Sequence, residues 1–167
     1  MRVFAEDDIG WMYASYKKGA FGPVFPPGLS GPEFREEAAR FMGRQQRAWT
    51  VMARMRGSQS AQWPIGLVAG VADGHKLFPH ALWYPWASER NILEGVLGFL
   101  RAATDAGYLV IIPSGDKYRP FFTKLMRYGI LKRVGVIPSW FSESEAADQS
   151  HEGPGTDAMF FYARKKP

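Results

Sequence analysis

The chain has no cysteine among its 167 residues and only three histidines. Nor has it an apolar run approaching the roughly 20 residues that a membrane-crossing helix needs. Each shortage closes a class of function. Without cysteine there is no disulfide framework, thiolate zinc site or sulfur nucleophile. His75, His80 and His151 are too scattered to suggest the ligand spacing of a metal centre, so none is expected. The opening Met-Arg-Val-Phe-Ala-Glu-Asp-Asp turns acidic at once, unlike a secretory leader or an anchor. The expectation is a soluble, cytoplasmic protein of a reducing compartment with no membrane partner.

Hydrophobic residues make up 46% of the chain and aromatic ones 15%, and 21 Lys plus Arg face 16 Asp plus Glu, for a net charge of +5. A chain of this length buries about two-thirds of its unfolded surface without a staple. It reads as one domain over residues 1–167. The small positive balance permits a nucleic-acid partner without demanding one.

Hydrophobic period gives a mixed order of strands and helices. Residues 1–5 suit a short strand, and Asp7 or Asp8 can cap a helix whose apolar face includes Ile9, Met12 and Tyr16. Residues 19–31 are rich in Gly and Pro yet unusually apolar, either a loop over a cleft or one packed on the core. Ser30 with Glu33, and Pro32 in the first turn, predict a boxed helix start running to about Gln46. Residues 48–55, 65–71 and 77–86 read as strands of an antiparallel meander, with residues 57–62 as one hairpin loop and Asp73-Gly74 as the second turn.

Ser88 then caps a long helix through Ile92, Leu93, Val96, Leu97, Phe99 and Leu100, followed by the apolar strand 108–113. Strand, helix and apolar strand predict a parallel crossover. Asp116 is the expected cap of a helix through Phe121, Phe122, Leu125 and Tyr128. Strands near 131–137 and 158–163 close the chain around a polar excursion at 142–155.

This order resembles the GCN5-related N-acetyltransferase superfamily over nearly the whole chain. The resemblance rests most on Trp83-Tyr-Pro-Trp-Ala-Ser-Glu-Arg-Asn-Ile-Leu, on Tyr108 to Pro113, and on Phe121-Phe-Thr-Lys-Leu-Met-Arg-Tyr-Gly-Ile. The first and last of these look more like the divergent members carried by tailed bacteriophages. It implies an α/β fold with a mixed, splayed sheet: a meander, one parallel crossover and a C-terminal hairpin. It also implies acetyl-CoA held between the fourth and fifth strands, and direct acetyl transfer to an amine on a small molecule or a protein.

A diphosphate suits the free N–H groups and dipole of a helix N-terminus. Aligned on the helix, the family's glycine-rich turn falls on Ser88, Asn91 and Leu93, none of which matches; Asn91 tolerates a positive φ, Arg90 can supply charge, and Leu93 brings bulk where a phosphate would approach. Tyr84, Trp86, Ser88, Arg90, Asn91 and Lys124 are the candidate cofactor contacts. His80 is the candidate base and Tyr84 the candidate acid, since even spacing along a strand places both on one face. The family's usual helix Tyr is replaced by Phe121 and Phe122, which leaves Tyr128, beside Gly129, as the remaining candidate acid.

Two other readings stay open. The fold can serve as a catalytically silent scaffold, a virion-associated structural or binding protein whose aromatic surface meets protein partners. Alternatively, the basic run Lys117, Arg119, Lys124, Arg127, Lys132 and Arg133, interleaved with Tyr118, Tyr128 and Trp140, suits a nucleic-acid-binding or base-modifying protein. The same run also suits a solvated helix face. Localisation follows the reading: host cytoplasm, or the virion.

Overall fold

The computed structural model describes residues 1–21, 24–54, 62–114, 118–137 and 158–164. Their order is β1 (Arg2–Val3), α1 (Asp8–Tyr16), α2 (Gly31–Gly43), β2 (Arg47–Arg54), β3 (Gln62–Asp73), β4 (Lys76–Trp83), α3 (Glu89–Asp105), β5 (Leu109–Ser114), α4 (Arg119–Met126), β6 (Leu131–Ile137) and β7 (Ala158–Ala163). The strands form one sheet in the order β1-β2-β3-β4-β5-β7-β6. Every neighbouring pair is antiparallel except β4 and β5, which are parallel. The fold is therefore the mixed sheet the sequence implies. No described helix is long and apolar enough to cross a membrane.

Two apolar clusters cover the faces. Leu93, Leu97, Leu100 and Ala103 of α3 and Leu125 of α4 pack with Val51, Val68, Leu77, Val110 and Phe161 of the sheet. On the other face Ile9, Met12 and Tyr16 of α1 and Phe34 and Ala38 of α2 pack with Leu67 and Tyr84. Gly95 lets α3 approach Val51 of β2, and Gly66 makes room on β3 for the Trp83 ring. A Cβ on Gly95 would stand 2.6 Å from Val51 Cγ1, and one on Gly66 would stand 2.8 Å from the Leu82 carbonyl and 2.5 Å from the Trp83 ring.

The predicted start of α1 is corrected. Asp7 is the cap residue but its side chain makes no capping bond. The Asp8 carboxylate is fully buried and ties three elements together, accepting from Arg2 Nη1 at 2.9 Å, Ala5 N at 2.9 Å and Thr50 Oγ1 at 2.6 Å. The Ser30–Glu33 device forms as expected: the Ser30 N–H and O–H donate to the Glu33 carboxylate at 2.8 and 2.6 Å. The aromatic loop after α1 is packed on the core. Phe21 and Phe25 are buried among Phe34, Phe41 and Tyr84. The Tyr16 hydroxyl donates to Pro26 O at 2.6 Å and accepts from Leu29 N at 2.8 Å, pinning the loop. Phe21 adopts φ +66°, a left-handed conformation that costs a side-chain-bearing residue about 1–2 kcal/mol, offset by burial of its ring. The loop expected at 57–62 (apart from Gln62), the cap Asp116, and Lys117, Trp140 and His151 lie outside the described residues.

Candidate functional site

Pairing in the sheet stops where β4 and β5, the one parallel pair among the described residues, should continue. β3 and β4 are in register over eight residue pairs and β5 and β7 over five, whereas β4 and β5 pair only at Lys76–Leu109 and Leu77–Val110. Beyond Leu77 the two strands are no longer paired. His80 and Ala81 are exposed although β4 has strands on both sides in the sheet order.

Proline explains the opening. The Leu109 N–H donates to His75 O at 2.7 Å, so residues 75, 77 and 79 of β4 turn their backbone groups toward β5, and residues 109, 111 and 113 of β5 turn theirs toward β4. The next rungs would be donated by the N–H groups of residues 79 and 113. Both positions are proline, Pro79 and Pro113, and have no N–H to give. The ladder with β3 survives because Pro79 faces it from a position that donates nothing there.

The end of β4 and the start of α3 shape the open mouth. Tyr84 follows the strand, only 2% exposed, and its hydroxyl makes no hydrogen bond among the described residues. Burial raises its phenol pKa far above the ordinary range; the Asp8 carboxylate pushes the same way and Arg2 opposes. Strand alternation puts His80 on the same face as Leu82 and Tyr84. Trp86 packs its ring 5.1 Å from that of Tyr84, and its indole N–H donates to Pro64 O at 2.7 Å.

Helix α3 begins at the mouth. Ser88 accepts from Asn91 N at 3.2 Å and donates to Asn91 Oδ1 at 2.6 Å, a reciprocal cap that occupies one N–H of the first turn. The N–H groups of Glu89 and Arg90 belong to the set that has no acceptor within a helix. Arg90 extends into solvent and pairs with Glu94 at 2.8 Å. Glu89 accepts from Lys124 of α4 at 2.8 Å, so one ion pair joins the helix that follows β4 to the helix that follows β5. That ammonium holds the Glu89 carboxyl below its ordinary range. The bulk expected at Leu93 is not at the helix tip: its side chain is buried in the α3-side cluster. That removes the steric objection to an anion there.

Tyr128 follows the end of α4, four residues after Lys124. It is 50% exposed and leads through Gly129 into Leu131, which shares a row with Ala163, Val110 and Leu77 at the closed end of the gap. His80, Tyr84, Trp86, Ser88, Arg90 and Asn91 thus lie along β4 beyond its last β5 pair and at the start of α3, with Lys124 joined to them through Glu89 and Tyr128 four residues further along the chain. Of the basic run, Lys124 is engaged by Glu89, while Lys132 and Arg133 are exposed on the edge strand β6. No group of three or more potential metal ligands occurs among the described residues.

No protein-family model matches the chain, and no curated protein matches its sequence. Solved structures do match. A spermidine N-acetyltransferase from Vibrio cholerae, in complex with CoA and spermine, aligns over 96% of this chain and 92% of its own with a TM-score of 0.63 at 12% identity. The chain has the GCN5-related N-acetyltransferase fold. A ribosomal-protein-alanine N-acetyltransferase from Brucella melitensis shares this fold with a TM-score of 0.63 at 10% identity, covering 98% of each chain. The yncA protein of Salmonella typhimurium, with acetyl-CoA, gives 0.59 at 10% identity over 99% of this chain and 93% of its own. At such identities the likeness describes the N-acetyltransferase fold alone.

Proposed function

We propose that the chain is an N-acetyltransferase that takes acetyl-CoA into the gap between β4 and β5 and passes the acetyl group directly to an amine. The observation that carries this reading is the β4–β5 ladder of two residue pairs, ended by two facing prolines inside an acetyltransferase-type sheet. The residues at the mouth fit the diphosphate in part. Two first-turn N–H groups of α3, Arg90 and Lys124 are available to it, and the cap made by Ser88 and Asn91 replaces the glycine turn.

The reaction requires the attacking nitrogen to be neutral. His80, exposed on β4 within the gap, takes the proton as the C–N bond forms and the thioester C–S bond breaks, releasing CoA thiolate to be protonated from water. Tyr84, sealed beneath Phe21 and Trp86, holds the mouth's shape. Lys124 exchanges Glu89 for a phosphate. Calorimetry with acetyl-CoA, followed by mass spectrometry of an amine panel, tests the reading. Binding is expected, weakened in Lys124→Met; His80→Ala should slow transfer by about 10²-fold or more with affinity unchanged. Absence of binding at millimolar acetyl-CoA would sink the proposal. The same result would favour the scaffold reading, whose support is the helix start already capped by its own Ser88 and Asn91.

A further inference from the structure

At the mouth of the gap, on its α1 side, Trp11 of α1, Trp63 of β3 and Trp86 of the β4–α3 turn meet. Their ring centroids are 4.7 Å apart for Trp11–Trp63 and 6.3 Å for Trp11–Trp86 and Trp63–Trp86, all edge-to-face. Trp63 is 39% exposed, so the cluster reaches solvent. Trp86 spends its indole N–H on Pro64 O, which fixes the ring and leaves its π face as what it presents. Over that face, 5.2 Å from the centroid, stands the Lys18 ammonium. Among the described residues no carboxylate pairs with Lys18, so the ring itself holds the charge there.

We propose that the Trp86 face, walled by Trp11 and Trp63, is a seat for an alkylammonium group of a ligand, with Lys18 as the occupant from this chain that the ligand displaces. On the acetyltransferase reading above, the ammonium belongs to an acceptor that carries a positive charge besides the amine that is acetylated. A cation on the quadrupole of an indole is attracted without any countercharge, and a ring face desolvated by neighbours strengthens the attraction. A free diamine and a lysine-bearing peptide present the same chemistry.

The test uses the whole chain without acetyl-CoA, so it succeeds or fails apart from acetyl-CoA binding. Choline and its uncharged isostere 3,3-dimethylbutan-1-ol are titrated while the indole N–H resonance of Trp86 is followed. Choline should shift it and the isostere should not. Lys18→Ala removes the internal competitor and should tighten choline binding about two- to five-fold, the range of an exposed cation–π contact. Trp86→Leu, read at the indole N–H of the neighbouring Trp63, should abolish binding. Equal binding of the uncharged isostere, or no gain in Lys18→Ala, would overturn the proposal even if Trp86→Leu failed to fold. In competition, displacement of choline by 1,5-diaminopentane points to a free diamine and displacement by a lysine-containing peptide to a protein acceptor; displacement by neither counts against the seat.

Discussion

Restoring the missing donors of the splayed pair is the most informative perturbation of the sheet. In Pro79→Val with Pro113→Val, the N–H of residue 79 can reach Ile111 O and that of residue 113 can reach residue 79 O, continuing the ladder past Leu77–Val110. Each such bond contributes about 1 kcal/mol net, so the closed arrangement gains about 2 kcal/mol over the open one. Losing two prolines also frees the unfolded chain, at about 0.4–1 kcal/mol each, so overall stability should change little. Affinity for acetyl-CoA should change far more, falling by as much as about 30-fold, because the ligand must reopen two rungs. Amide exchange and calorimetry on the double variant read both quantities. Fast exchange of the two new amides together with unchanged affinity would refute the reasoning, and would mean that packing of α3 and α4 sets the gap.

Other outcomes follow from single contacts. Gly98→Ala should stabilise the protein by up to about 1 kcal/mol, since nothing lies within 4 Å of its added Cβ. Gly95→Ala on the same helix should destabilise it, with overpacking against Val51 costing about 1–3 kcal/mol; Val51→Ala should reverse that sign, all read from urea unfolding. Asp8→Ala strips Arg2, Ala5 N and Thr50 of their shared acceptor and should cost about 3 kcal/mol by the same measurement. Glu33 is held below its ordinary value of 4.5, first by the Ser30 hydroxyl and then by the Ser30 N–H. Its folded pKa therefore lies below its unfolded one, and its contribution is present above pH 4.5 and fades as pH falls through the folded value. Circular dichroism should show the helix start loosening in acid, with that dependence absent in Glu33→Gln.

The element order was readable because apolar spacing and caps are local signals. Ile9, Met12 and Tyr16 are buried at the predicted face of α1, and Ser88 caps α3 as expected. Strand β4 ends at Trp83, three residues before the predicted end, since Tyr84 turns into the α1-side cluster and Pro85 cannot donate. The splay had a signal that periodicity alone overlooks: Pro79 lies inside an apolar run and Pro113 closes another, and a proline within a strand marks a place where pairing stops. Other parts of the site are not local. Glu89 and Lys124 are 35 positions apart, and Trp11 meets Trp63 and Trp86 only after the sheet forms. Leu93 misled for a related reason: alignment on a motif shows position along the helix, whereas its burial depends on which side of α3 faces the sheet.

The central claim is that the gap opened by Pro79 and Pro113 receives acetyl-CoA, and a backbone amide titration with acetyl-CoA tests it most directly. Shifts should concentrate at Phe78, His80, Ala81 and Leu82 of β4, at Ile111 and Ile112 of β5, and at Glu89 and Arg90 at the start of α3. Shifts confined to other surfaces, such as the edge strand β6, or none at millimolar ligand, would contradict it.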